Sequence, residues 1–254
     1  MIQLKSPREI EVMAVGGRIT GEAISLMCEV VRPGMSTLDL DEIAEEFIRS
    51  HPGATPAFKG LYGFPGTLCT SINHEIVHGI PSRKRVLQDG DLVSIDVGVA
   101  YQGFFTDSAA TVPVGEVDEQ SRRLLDVTME ALDAGIAAAR VGNHIGDIGA
   151  AVQSVVEAAG FSVVKDLVGH GIGVAFHEEP QVPNFGKPKR GTPLTPGLTI
   201  AIEPMVNAGS PKTRTLPDRW TIVTADGSRS AHFEHTVAIS DDGPRVLTSR
   251  SASA

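Results

Sequence analysis

The sequence is poor in cysteine and has no long apolar runs. Its two cysteines, Cys28 and Cys69, provide neither a disulfide framework nor the paired ligands of a zinc knuckle. No stretch approaches the 18 or so uninterrupted apolar residues that a membrane helix needs, and the first nine residues contain no apolar secretion signal. We therefore expect a soluble protein of the reducing cytoplasm that makes no membrane contact.

Basic residues are also in deficit. The chain has 22 Lys and Arg against 31 Asp and Glu, a net charge of −9, whereas a nucleic-acid-binding face needs a basic patch. We interpret the short basic clusters at Lys84-Arg85 and at residues 187–190 as solvated loop charge. Recognition of nucleic acid is therefore not expected. The apolar content of 41% is ordinary for a globular protein.

Four helices are predicted from caps, apolar periodicity and breakers. The first begins at the capping box Ser6-Pro-Arg-Glu9 and runs to about residue 32, where Pro33-Gly34 ends it. The second carries Leu40, Ala44 and Phe47 on one face and stops at a Pro-Gly pair. The second, third and fourth helices are expected at about residues 38–50, 118–140 and 145–159.

The predicted elements recur along the chain. An offset of 108 carries Arg32-Pro-Gly34 onto Arg140-Val-Gly142, and an offset of 107 carries Ile95-Asp96 onto Ile202-Glu203. The alternative is chance agreement between amphipathic helices and glycine-punctuated strands. We predict one domain over residues 1–248, with repeat halves at about 5–115 and 116–248, and a flexible tail at 249–254.

Some carboxylates are predicted to be buried. Asp96 and Glu203 each lie in a strand-like segment between apolar neighbours, where a charge costs several kcal/mol unless something compensates it. A metal would provide that compensation, because an oxygen-rich set of side chains is what a two-metal hydrolytic site needs. The candidate ligands are Asp96, Asp107, His170, Glu203 and Glu234.

Two of these candidates are predicted to share a β-hairpin. Residues 93–112 form two strand-like runs that turn near Tyr101-Gln102-Gly103. With a loop of even length, Asp96 and Asp107 project from the same face, either opposite or diagonal to each other. Opposite residues hold their Cβ atoms about 5 Å apart, which suits two metals about 3.5–4 Å apart. For Asp107 alone, a solvated aspartate on a strand edge is the alternative.

The histidines divide into a candidate ligand and two candidate donors. His170 is framed by glycines as Gly169-His-Gly-Ile-Gly173, which lets backbone approach closely and exposes one side chain to a site; a satisfied core histidine is the alternative. His78 and His177 are not needed to neutralise charge. We predict that they donate hydrogen bonds to a substrate carbonyl or a developing oxyanion.

One motif is interpreted as a coincidence. The run from His74 to His78 matches H-E-x-x-H, which binds zinc only when a helix places both histidines on one face. Gly79 and Pro81 follow at once, so we predict no helix and no zinc-protease site there. The chain also has no G-x-S-x-G elbow for a serine hydrolase.

The ordered set of five candidate ligands resembles that of the methionine aminopeptidases, in the short bacterial-type form of type I. The similarity covers about residues 3–248 and implies the pita-bread α+β fold, with two pseudo-symmetric halves of helices packed on antiparallel strands around a central metal cleft. The matching stretches are Ser71-Ile-Asn73, His78-Gly-Ile-Pro81, Ser94-Ile-Asp-Val-Gly98, Gly169-His-Gly-Ile-Gly173, Phe176-His-Glu-Glu-Pro-Gln-Val182, Ile202-Glu-Pro-Met-Val-Asn-Ala-Gly209 and Phe233-Glu-His-Thr236.

This resemblance implies a role for each ligand. Asp96 would chelate one of two divalent metals, Asp107 and Glu234 would bridge both, and His170 and Glu203 would complete the second. A water acidified by the cations would attack the carbonyl after the first residue of a peptide. Oxygen-rich ligation accepts manganese, iron, cobalt or zinc, so the identity of the metal stays open.

The resemblance also implies roles around the metals. Glu203 would shuttle the proton, while His78 and His177 would orient the peptide and stabilise the tetrahedral intermediate. Asn73 and Ser230 match positions near a structural sodium or potassium ion. The matching pocket for the methionine side chain is a soft aromatic wall suited to a thioether, formed by Phe58, Leu61, Phe64, Cys69, Phe176 and Trp220.

Three positions depart from the family pattern. Phe58 and Leu61 stand where relatives often carry cysteine and tyrosine, and His74 replaces the usual acidic residue after Asn73. These changes affect the expected shape of the pocket and leave the expected chemistry intact.

The predicted function is removal of the initiator methionine from new chains when the second residue is small. A monomer that associates transiently with ribosomes is expected. One alternative is a proline-directed relative such as prolidase or aminopeptidase P, which usually carries an extra N-terminal domain. Another is a metal-free pita-bread binding protein, although such relatives have lost ligands and all five positions are intact here.

Overall fold

The helices are described by a computed structural model that covers residues 2–250. No helix in this range is long and apolar enough to span a bilayer. A 3₁₀ turn occupies Leu61–Gly63. The four α-helices of the described chain are Pro7–Val30 (α1), Thr37–Arg49 (α2), Glu119–Ala138 (α3) and Ile145–Ala158 (α4).

The strands of residues 2–250 are short except for one central pair, and all of their pairings are antiparallel. They are Ala54–Pro56 (β1), Leu68–Ile72 (β2), Glu75–Val77 (β3), Leu92–Tyr101 (β4), Phe104–Pro113 (β5), Ser162–Val163 (β6), Gly169–Gly171 (β7), Glu178–Val182 (β8), Thr199–Ile202 (β9), Met205–Asn207 (β10), Thr213–Thr215 (β11), Ile222–Thr224 (β12), Ser230–His232 (β13), His235–Ser240 (β14) and Gly243–Val246 (β15).

Two larger sheets and two small ones organise these strands. In the first half, β4 pairs with β5 on one side and with β1 and β2 on the other. In the second half, the order is β15-β14-β9-β7-β8. The three-stranded sheets β13-β10-β6 and β11-β12-β3 complete the described structure. The predicted class of helices packed on antiparallel strands is therefore confirmed.

The predicted helices occur within two residues of their expected bounds. At α1, the Ser6 backbone N–H donates to the Glu9 carboxylate at 2.7 Å, as expected of a capping box. The helix ends two residues earlier than predicted, because Val31 already has an extended backbone (ψ 125°) ahead of Pro33. A proline disfavours helical backbone in the residue before it, here Arg32, so the helix cannot continue to residue 32.

The helix pairs of the two halves begin alike. Ser36 caps α2 and His144 caps α4, a spacing of 108 residues, and each N-cap N–H donates at 2.8 Å to the aspartate three residues later. Each cap residue also forms an isolated antiparallel bridge, to Val86 and Pro193 respectively. These paired features support the internal repeat that we propose.

The two halves meet along β5, where threonine hydroxyls replace a regular strand ladder. The Thr236 hydroxyl accepts from the Asp107 N–H at 2.9 Å and donates to the Asp107 carbonyl at 2.8 Å. Thr111 does the same for the backbone of His232, at 2.8 and 2.9 Å. We call these contacts the threonine seam. They bring residues far apart in the chain into a fixed register.

The C-terminal segment packs against α1. A Cβ on Gly17 would lie 2.3 Å from the Leu247 carbonyl oxygen, and one on Gly21 would lie 2.4 Å from that of Ser249, so only glycine permits this approach. Arg250 donates to the Ala109 carbonyl at 2.6 Å. Of the flexible tail expected at 249–254, residues 251–254 lie outside the described residues.

Candidate metal centre and active site

The hairpin of β4 and β5 positions the first two candidate ligands. Its two-residue loop consists of Gln102 and Gly103, both with positive φ (48° and 85°), as a type I′ turn requires. In the resulting register Gly98 faces Asp107, so Asp96 lies diagonal to Asp107. The prediction that both carboxylates project from one face of the hairpin agrees with this register.

The second half supplies its candidates from three different places. His170 lies in β7, Glu203 directly follows β9, and Glu234 lies between β13 and β14. The Glu234 N–H donates to the Ala109 carbonyl at 2.9 Å, and the Ser108 hydroxyl donates to the Glu234 carbonyl at 2.7 Å. Contacts between β5 and the backbone of Glu234 therefore hold this residue beside the hairpin.

All five candidate ligands line one cavity of about 570 Å³. Ligand atoms of Asp107, His170 and Glu234 lie within 4.8 Å of one another. The Nε2 atom of His170 lies 3.7 Å from a carboxylate oxygen of Glu203. The folded chain thus brings together, from both halves, the groups that the sequence singled out.

The carboxyl groups of this cluster are buried and short of partners. Burial raises the pKa of all four, and repulsion between neighbouring carboxylates raises the pKa of Asp107, Glu203 and Glu234 further. Within residues 2–250, one oxygen each of Asp96, Asp107 and Glu234 has no hydrogen-bond partner. Buried, mutually repelling oxygens without donors are suited to hard or borderline divalent cations. The residues present therefore fit a metal centre.

His170 is prepared to act as a neutral ligand. Burial lowers its pKa to about 4, so the ring is uncharged near neutral pH. Its Nδ1 lies 2.8 Å from the Gly171 carbonyl oxygen. Because a carbonyl can only accept, Nδ1 carries the proton and Nε2 keeps a free lone pair toward Glu203. A backbone acceptor behind a ligating imidazole commonly sets the tautomer in this way.

His78 and His177 also line the cavity. Burial lowers the pKa of His78 to about 4 and lowers that of His177 as well. The rings of His170 and His177 are 4.4 Å apart, edge to face. His78 follows β3, and residues Glu75–Val77 are a strand, so the expectation that H-E-x-x-H is not a helical zinc motif is confirmed.

His232 is a cavity residue that sequence reasoning missed. Its Nε2 lies 3.8 Å from a Glu203 carboxylate oxygen and has no hydrogen-bond partner in the described chain. Burial lowers its pKa to about 3. The available signal was strand alternation, since His232 stands two residues before Glu234 and a strand points such residues to one face.

Aromatic and sulfur side chains form the apolar side of the cavity. The rings of Phe58 and Phe176 are 5.3 Å apart, and those of Phe64 and Trp220 are 5.1 Å apart, both edge to face. The predicted pocket residues all line this same cavity, namely Phe58, Leu61, Phe64, Cys69, Phe176 and Trp220. A methionine-sized side chain would find aromatic edges there, a favourable environment for sulfur.

Asn73 and Ser230 lie together but away from this cavity. The Ser230 N–H donates to the Asn73 carbonyl at 2.8 Å. The Asn73 side-chain amide donates to Asp91 at 2.7 Å, and the Ser230 hydroxyl donates to the Asn207 side chain at 2.9 Å. Their side chains are engaged with these protein partners, and the sodium or potassium ion expected near them stays a prediction.

Fold and site together define a metallopeptidase. The sequence pattern of metallopeptidase family M24 matches residues 11–241, and the chain belongs to this family. It is 54% identical to "Methionine aminopeptidase" of Clostridium perfringens over 98% of this chain and 99% of that one. It is 43% identical to the Escherichia coli K12 enzyme of the same name, over 98% and 94%.

Solved structures agree. The methionine aminopeptidase of Thermotoga maritima superimposes with a TM-score of 0.96 at 43% identity, covering 98% of this chain and all of that one. A prolidase from Pyrococcus horikoshii shares the fold, with a TM-score of 0.78 at 23% identity, but this chain covers only 64% of it. The resemblance to methionine aminopeptidases and the pita-bread fold are thus confirmed.

Proposed function

We propose that this protein hydrolyses the first peptide bond of chains that begin with methionine. The observation that carries the proposal is a cluster of buried oxygen and imidazole groups directly beside an apolar aromatic pocket, within one cavity. The close relationship to methionine aminopeptidases over nearly the whole chain supports the same activity.

In this proposal each ligand has a defined place. Asp96 would hold one divalent cation, and His170 and Glu203 would hold the other. Asp107 and Glu234 would contact both cations. Two such cations, when bound, would acidify a water molecule and polarise the scissile carbonyl. Their identity among manganese, iron, cobalt and zinc stays open, because the donor set accepts each of them.

The remaining polar groups would handle protons and the peptide. Glu203 would accept a proton and pass it to the leaving amine. His78 and His177 line the cavity, and each can donate an imidazole N–H to the carbonyl oxygen as negative charge develops on it. The methionine side chain would lie against Phe176 and Trp220 in the aromatic pocket.

We further propose a cytoplasmic monomer that meets nascent chains at the ribosome and prefers a small second residue. These points derive from the family role. A sodium or potassium ion near Asn73 and Ser230 belongs to the same set of proposals. The preference is measurable as a higher kcat/KM for Met-Ala-Ser than for Met-Leu-Ser.

The proposal is tested by incubating metal-loaded protein with Met-Ala-Ser and measuring free methionine. Release is expected from the unaltered protein and from Asp241→Asn, which removes an equal charge from an exposed position. Release should be lost in Asp96→Asn and Glu203→Ala. No release by protein with confirmed bound metal would defeat the proposal. Cleavage of Gly-Pro instead would indicate a proline-directed enzyme. In a metal-free binding protein, Asp96→Asn and Glu203→Ala would change neither methionine release nor metal content.

A further inference from the structure

The loop at residues 60–63, on the rim of the cavity, has an unusual backbone. Gly60, Tyr62 and Gly63 all have positive φ, at 91°, 51° and 87°. Glycine adopts this region freely, but a bulky residue such as Tyr62 rarely does. Disfavoured backbone of this kind persists where the surrounding structure enforces it, commonly at functional sites.

Packing in the core does not explain the conformation of Tyr62. Tyr62 is 73% exposed, whereas Phe58 and Phe64 on either side of the loop are 6% and 4% exposed. The two phenylalanines anchor the loop, and the glycines allow the turn between them. The tyrosine is therefore held over the cavity rim by its neighbours instead of being buried with them.

What Tyr62 contacts is His177. The two rings are stacked, with centroids 5.7 Å apart and planes inclined by 20°. The phenolic oxygen lies 3.3 Å from Nδ1 of the imidazole. A neutral imidazole carries one proton, on either Nδ1 or Nε2. A donor facing Nδ1 favours the proton on Nε2, whereas an acceptor facing Nδ1 favours the proton on Nδ1.

We propose that Tyr62 is a positioning residue that donates its hydroxyl proton to Nδ1 of His177 and so keeps the His177 proton on Nε2. This rests on the proposed function, in which His177 donates an N–H to the substrate carbonyl. Only the Nε2-protonated tautomer can do so while Nδ1 faces Tyr62. The stacked ring also restricts rotation of the imidazole, so the donor keeps its direction.

The tautomer is tested directly by nitrogen NMR of protein with ¹⁵N-labelled histidine, loaded with Zn²⁺, which is diamagnetic. His177→Gln identifies the signals of His177 by their loss. In the unaltered protein we expect Nε2 to be protonated and Nδ1 not. Tyr62→Phe keeps the ring and removes the hydroxyl, so a mixture of tautomers is expected.

Tyr101→Phe is the matched control, because Tyr101 is the other tyrosine of the chain and accepts a hydrogen bond from Gln102 at the hairpin turn. It should leave the His177 signals unchanged. Protonation of Nδ1 in the unaltered protein, or an unchanged tautomer in Tyr62→Phe, would overturn the proposal.

Kinetics supply a second readout. Because the hydrogen bond to the carbonyl strengthens as charge develops, its loss should lower kcat and leave KM nearly unchanged. Tyr62→Phe is expected to reduce kcat by about three- to tenfold, as for loss of one neutral hydrogen bond, and Tyr101→Phe not at all. An unchanged kcat, or a change confined to KM, would contradict a positioning role. If the unaltered protein released no methionine, the proposed function would fail, while the NMR would still decide the tautomer.

Discussion

In the first half of the molecule, Asp96 and Asp107 come from one continuous hairpin, whereas in the second half His170, Glu203 and Glu234 come from three separate places. The hairpin register alone puts the first two carboxylates on one face. The other three depend on contacts between distant parts of the chain. Local geometry therefore builds one side of the site, and tertiary packing builds the other.

The threonine seam is where these two modes of construction meet. Asp107 is a hairpin residue, yet both of its backbone polar groups are bound by Thr236, which is 129 residues away. The same segment holds Glu234 against Ala109. A shift at this seam would move the proposed bridging carboxylates apart without disturbing either half internally.

The largest effect is expected when one proposed bridging ligand is removed from either half, which tests whether both halves contribute to one metal centre. Asp107→Asn and Glu234→Gln should each lower kcat/KM for Met-Ala-Ser by at least about a thousandfold, because each carboxylate would contact both cations. Elemental analysis should find less metal per chain in both variants and normal metal in Asp241→Asn. Retention of full activity by either variant would show that the halves do not share one centre.

The second test removes a buried ion pair between the two halves. Lys5, on the N-terminal segment, forms an ion pair with Glu178 beside the cavity, and their side chains are only 2% and 8% exposed. Lys5→Ala leaves the carboxylate buried without its partner, which typically costs about 3–5 kcal/mol. Urea unfolding should show this loss.

The control for that test is Arg245→Ala, which removes an ion pair to Glu11 whose side chains are 47% and 66% exposed. Exposed pairs contribute little, so the unfolding midpoint should hardly move. Equal effects of the two variants would mean that Lys5 does not join the halves as described.

A third and smaller effect is expected at the threonine seam. Thr236→Val keeps the shape but deprives the Asp107 N–H and carbonyl of their partner, and buried unsatisfied groups cost about 1–3 kcal/mol. Thr111→Val should behave similarly through His232. Thr215→Val, at an exposed strand position, should have almost no effect. Stability is measured by urea unfolding. If Thr236→Val or Thr111→Val were as stable as the unaltered protein, the threonine seam would not stabilise the fold.

The last test compares how the free energy of unfolding of the metal-free protein depends on pH in two variants, for which opposite signs are expected. Burial raises the pKa of Asp107, so its ionised form is penalised in the fold. The penalty is absent below the unfolded value of about 4 and grows as pH rises. Asp107→Asn should therefore stabilise the metal-free protein, increasingly so as the pH rises above about 4.

Asp226 provides the opposite case. Hydrogen bonds from Ser228 and Ser210 lower its pKa to about 2, so its contribution is present above pH 4 and is lost as pH falls toward 2. Asp226→Asn should destabilise the protein above pH 4 and matter little near pH 2. The free energy of unfolding of each variant is measured by urea unfolding across this pH range. If the change in this free energy relative to the unaltered protein varied with pH in the same direction for both variants, the assigned environments would be contradicted.

The local features of this molecule could be predicted from the sequence, but several contacts between residues far apart in the chain could not. The helices followed from caps and breakers such as Ser6 and Pro33, and the face shared by Asp96 and Asp107 followed from strand alternation. The threonine seam was not predictable, because nothing local distinguishes Thr236 from any other strand threonine. His232 and Tyr62 were missed because their importance arises from what lies across the cavity.

The convergence of both halves on one pair of cations is tested most directly by anomalous diffraction from crystals grown with Mn²⁺. We expect two peaks bridged by Asp107 and Glu234, with Asp96 at one peak and His170 and Glu203 at the other. Peaks that contact ligands from only one half, or that lie outside this cavity, would contradict the account.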